Sequence, residues 1–143
     1  RSPQLADRAQ RLGEFCRYHS SLPPRLSEMA IIVTGAFWKS QYEFYAHARL
    51  AREAGLPDAV IEAIRTGVRP DVTGAEAAIY DFVTEFLNTK RVSDATYARA
   101  IEAFGERGVV DLVGIVGYYG LVSMTLNVFD VPLPPGVEPP LPA

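Results

Sequence analysis

Apolar residues recur along this chain at helical rather than strand spacing, and glycine and proline mark where each run stops. Ser2-Pro3 is a cap followed by proline, and it predicts a helix to about His19 with Leu5, Ala9, Leu12, Phe15 and Cys16 near one face. SSLPP breaks the chain, and the proline pair opens a second helix, RLSEMAIIVTGAFW. MAIIV is apolar almost all round, which predicts a central position. A third helix is expected from near Ser40 to Ala54, stopped by Gly55, and a short amphipathic one in LPDAVIEAIRTG, stopped by Gly67. Thr73 to Glu76 has capping-box spacing and opens a helix to about Asn88. Ser93 caps SDATYARAIEAFG, and a long helix follows from about Val109, with glycines at spacing three that would let a neighbouring backbone approach. The tail 131–143, VPLPPGVEPPLPA, has too many prolines for helix or central strand and is expected to lie extended over the domain or over a neighbouring subunit. About seven helices and no strand alternation make an all-α bundle.

Within the last helix, LVGIVGYYGLVSMTLNVF carries no charge and is about long enough to span a bilayer. Its glycines, Ser123, Thr125 and Asn127, and the lack of a close basic anchor after Arg107, point instead to a buried central helix and no membrane role. The 143 residues suit a single domain spanning 1–143, and 48% hydrophobic with 22% charged is ordinary for a packed globular chain. The net charge of −3 and the scattered Lys and Arg exclude a basic nucleic-acid groove. One cysteine, Cys16, excludes an internal disulfide, a dithiol centre and a cysteine zinc site, and it reads as a small core residue. RSPQLADRAQ has no signal-peptide h-region, so a cytoplasmic setting is expected; it also lacks a starting Met, which leaves open what precedes Arg1.

Candidate chemistry enters in YEFYAHARLAREAGL. Arg49, Arg52 and Glu53 form a wet face. On a wheel of about 100° per residue, Ser40, Phe44, His47 and Ala51 share the other face, with Glu43 on its flank. Glu43 and His47, four residues apart, are therefore neighbours on a mostly apolar stripe. A carboxylate beside an imidazole favours the imidazolium, whereas burial favours neutral forms, and acid–base chemistry near neutral pH uses such perturbed groups. Glu28 interrupts the apolar run of the second helix near its start, where the helix dipole favours a negative charge. Plainer readings stand beside these. A Glu–His pair at this spacing is usually a half-buried contact, Glu28 can pair with Arg25 or Lys39, and Trp38 with Phe37 is more often core or interface than substrate wall. His19 reads as exposed.

Glu28, Ser40, Glu43 and His47, followed by ARLAREAGL and a short helix, resemble the carboxymuconolactone decarboxylase family, which includes the alkyl hydroperoxidase D-like proteins. The resemblance covers roughly Arg25 to Ile64 and extends more loosely to the final helix with its YYGLVSMTLNVF. It implies a helical bundle that self-associates as a homotrimer or homohexamer. The peroxidase branch implies a C-x-x-C pair, whose places fall here on Ser40 and Glu43, so dithiol peroxidase chemistry is disfavoured. The decarboxylase branch, with Tyr-Glu and histidine but no cysteines, is nearer: Tyr42-Glu43 and His47. It implies a cofactor-free and metal-free lyase of aromatic catabolism, acting on 4-carboxymuconolactone or a similar small cyclic acid. On this resemblance His47 is the proton donor, Glu43 and Glu28 support it, Trp38 and Phe44 wall the substrate, Ser40 contacts it and Arg25 is the nearest cation for its carboxylate. A non-catalytic oligomeric module that binds a small molecule is the other class. The catalytic reading expects a pocket at a subunit boundary that holds His47 and a carboxylate together.

Overall fold

Proline builds the central helix from its first residue. Pro23 is extended and Pro24 takes the first helical position, where a missing N–H costs nothing. From there α2 (Pro24–Phe37) runs with every residue from Leu26 to Gly35 buried, as the all-round apolar pattern of MAIIV requires. The computed structural model describes residues 1–143 and contains six α-helices and no strand. In chain order α1 (Pro3–Glu14) continues into a π-helical turn at Phe15–His19 and precedes α2, and α3 (Gln41–Glu53), α4 (Asp58–Thr66), α5 (Gly74–Thr89) and α6 (Asp94–Val128) follow it. α2 packs against α3, α5 and α6, and one apolar core joins them.

The expected seventh helix is not separate. The segments predicted on either side of Gly105 run together as the 35-residue α6, kinked at Gly105, which holds φ 69° and ψ 174° inside an otherwise helical run. Glycine alone adopts those angles cheaply, so the two helical segments meet at Gly105 without an intervening loop. Ser93 caps this helix as predicted, its hydroxyl accepting from the Thr96 N–H. Thr73 does not form the expected capping box; it makes no cap bond, and Glu76 turns instead to the Arg25 guanidinium at 2.8 Å.

Two apolar faces stay open in the single chain. In α1 no residue is buried, and Leu5, Leu12 and Phe15 are exposed; of the expected apolar face only Cys16, in the π-turn, reaches the core. In α6 the central-helix reading holds for one face. Leu112, Ile115, Val116, Tyr119 and Ser123 are buried, while Val110, Val113, Met124 and Val128 point out. By length and composition alone α6 could cross a membrane, but 44% of its most apolar window is buried against the rest of the chain. Nor do its glycines all admit a neighbour: Gly114 and Gly117 face open space, whereas Gly108 is approached by the Leu22 side chain and Gly120 by the Trp38 indole.

The proline-rich tail lies over its own domain. Leu141 is buried, its N–H donates to Gln41 Oε1 at 2.8 Å, and Gln41 Nε2 donates back to its carbonyl at 3.0 Å. Arg65 donates to the Pro140 carbonyl at 2.9 Å. The tail is thus a strap across the start of α3 and the end of α4.

Candidate functional site

Helix α3 starts at a sharp turn. Trp38 ends α2, Lys39 takes a left-handed φ of 52°, and Ser40 stands extended as the N-cap of α3. α2 and α3 meet closely at Gly35, where a Cβ would stand 3.3 Å from Glu43 Cγ. That approach brings the second turn of α2, with Glu28, alongside the inner stripe of α3. Glu43 lies in the first turn of α3, where the helix dipole favours its charge.

His47 is held from both sides. Its Nδ1 lies 2.7 Å from Glu28 Oε2 and its Nε2 lies 3.2 Å from Glu43 Oε1. A neutral imidazole has one N–H and can donate to one carboxylate only; donation to both requires the imidazolium. The electrostatics of the site agree. Burial pulls the His47 pKa down, but hydrogen bonds and charge from Glu28 and Glu43 outweigh it and raise the value from 6.5 to about 9. His47 is 9% exposed, with Glu28 and Glu43 more deeply buried. The plainer partners for Glu28 are excluded: Arg25 is bound to Glu76, and Glu28 binds His47.

Helix α6 completes the surroundings with two residues that the sequence did not mark as site candidates, Tyr119 and Ser123. The Tyr119 ring meets the imidazole edge to face, with centroids 5.0 Å apart. Burial first, then the nearby Glu28 and Glu43 carboxylates, push the Tyr119 phenol well above its ordinary value, so it stays protonated. Four residues on, Ser123 donates to Glu43 Oε2 at 3.4 Å. The available signal was a polar residue at helical spacing from a tyrosine in an otherwise apolar helix, 80 positions from Glu43.

The remaining candidates fall in different places. Ser40 is fully buried beside the triad's helix start, and its hydroxyl has no partner. The Trp38 indole N–H is likewise buried and unpaired, packed by Gly120. Phe44 is a core residue, 1% exposed, rather than a wall of the triad; where it borders a cavity it does so with Ile61 and Arg52. Arg25 is not brought to His47, because its guanidinium is bound on α5. None of the four main cavities is lined by Glu28, Glu43 or His47, so in one chain the triad reaches the surface only through the exposed edge of the imidazole and of Glu28.

A family model described as carboxymuconolactone decarboxylase family matches residues 3–85. The matched stretch contains Glu28, Ser40, Glu43 and His47, whereas Tyr119 and Ser123 lie beyond it. No curated protein matches the chain.

Proposed function

The chain belongs to the carboxymuconolactone decarboxylase family, and from that premise we propose that it is a cofactor-free lyase acting on a small cyclic carboxylic acid or lactone. The observation that carries this reading is the doubly held imidazolium, Glu28–His47–Glu43. It is a proton donor kept loaded at neutral pH. The two glutamates divide the work by distance. Glu28, at 2.7 Å, fixes the ring through Nδ1. The contact from Nε2 to Glu43 is longer, 3.2 Å, so Nε2 carries the transferable proton.

In the proposed reaction the substrate enters at the exposed edge of His47. The bond from the ring carbon to its carboxylate breaks and carbon dioxide leaves. The electron pair flows into the conjugated lactone carbonyl as a dienolate. His47 Nε2 delivers one proton to carbon, and solvent restores it. The net change is loss of carbon dioxide and gain of one proton. Ser40 and Glu43 stand where the peroxidase branch has cysteines, and Cys16 is a single buried thiol, so peroxide reduction through a dithiol has no support. The open apolar faces of α1 and α6 support self-association; a homotrimer or homohexamer in the cytoplasm is the proposed form.

Two specific observations favour a second reading, a non-catalytic module. Two carboxylates around one imidazolium leave a negative surplus that repels an anionic substrate, and no main cavity opens onto the triad. Absorbance loss of 4-carboxymuconolactone, compared for wild type and His47→Ala, separates the two. Turnover that collapses in the variant supports the lyase and its proton donor. Equal rates remove His47 from the mechanism, and no turnover in either protein favours the module.

A further inference from the structure

Where α2 ends, a cavity of about 270 Å³ opens between α2, α4, α5 and the C-terminal strap. Val33, Phe37, Ile64, Leu87 and Leu141 make its apolar wall. Its charged groups have one sign: Lys39 and Arg65 line it, and no Asp or Glu does. That runs against the balance of the chain, which has 17 acidic and 14 basic residues.

The two cations have different duties. Arg65 is a strut, bound to Glu62 at 2.7 Å and to the Pro140 carbonyl. Lys39 is exposed and forms no ion pair. Its backbone φ of 52° is one that glycine adopts freely and that a lysine adopts only at a steric cost. The turn therefore holds an ammonium where glycine would close it at lower cost.

We propose that this cavity binds a small monocarboxylate with an apolar body, such as an aryl-substituted or short acyl acid. Lys39 meets the carboxylate, and Leu141 of the strap forms one wall. The apolar lining takes the body of the ligand, and the ammonium adds a charge-assisted bond at the rim. The strap has one register. In Pro139-Pro140-Leu141-Pro142 only Leu141 has a backbone N–H, and Gln41 takes it. Gln41 is also the first residue of α3, so the wall of this cavity is tied to the helix that carries Glu43 and His47. The inference does not depend on any role for His47.

The test titrates isotope-labelled full chain with phenylacetate at low ionic strength, beside phenylacetamide as the neutral analogue of the same shape. Expected are saturable NMR shifts centred on Lys39, Ile64 and Leu141, with the acid bound about fivefold to tenfold more tightly than the amide, as one charge-assisted bond supplies. Lys39→Gly suits the left-handed backbone and removes the ammonium with its aliphatic stem, a loss the acid and the amide share except for the charge. It should abolish the preference for the acid and leave the remaining spectrum unchanged. Equal affinity for acid and amide, a preference that survives Lys39→Gly, shifts centred on Glu28 and His47, or no saturable binding at millimolar concentrations would each overturn the proposal.

Discussion

At the scale of residues, the molecule turns on a buried imidazolium whose charge is sustained by two carboxylates. Removing Glu28 takes away the shorter contact and leaves the imidazolium paired with Glu43 alone. Glu28→Gln should cost about 1.5–3 kcal/mol in urea unfolding at neutral pH, the range for one hydrogen bond to a charged group. Ser123→Ala removes a longer contact of 3.4 Å and should cost less than about 1 kcal/mol. The pH dependence has a definite sign. The folded pKa of His47 lies above its unfolded value, so its contribution is complete below about 6.5 and is lost as pH rises through about 9. The shift corresponds to a contribution on the order of 3 kcal/mol. Urea unfolding from pH ~6 to ~10 should therefore show a fall in wild type that is missing in His47→Gln; parallel curves would mean that the imidazole is neutral in the fold.

At the scale of elements, two joints bear testable weight. Gly105 holds angles inside α6 that a side chain tolerates poorly. Gly105→Ala should lower stability by about 1–3 kcal/mol, read from thermal unfolding followed by circular dichroism. An unchanged midpoint would show that the kink relaxes into regular helix. The strap joint is smaller. Gln41→Ala should remove the protection of the Leu141 amide in hydrogen exchange and leave the α2 amides protected, since the latch is local. Protection that persisted would mean that Leu141 burial alone seats the tail.

At the scale of the whole molecule, the open faces of α1 and α6 are too apolar to stay wet without consequence. Leu12 is 46% exposed and Val113 is 52% exposed. Light scattering should give wild type the mass of a trimer or hexamer, and Leu12→Glu with Val113→Glu should reduce it to one chain. A wild-type monomer would leave both faces without a partner of this kind.

The sequence by itself determined what local chemistry and periodicity control. Pro23-Pro24 and Gly67 set helix ends, MAIIV required a central α2, and the spacing of Glu43 and His47 put both on the inner stripe of α3. The family was legible for the same reason: its signature is local, from Arg25 to Ile64. Tertiary structure decided what depends on which helices cross. Glu28 could have paired within α2, but close packing at Gly35 gave it to His47, and Arg25 went to Glu76. Phe44, on the same stripe as His47, went to the core because a stripe has two edges and only packing assigns them. Tyr119 and Ser123 joined the site through the docking of α6 across α3, a contact between distant segments that no local pattern encodes. Where one helix ends is written in neighbouring residues; which carboxylate meets which cation is settled only when the helices pack.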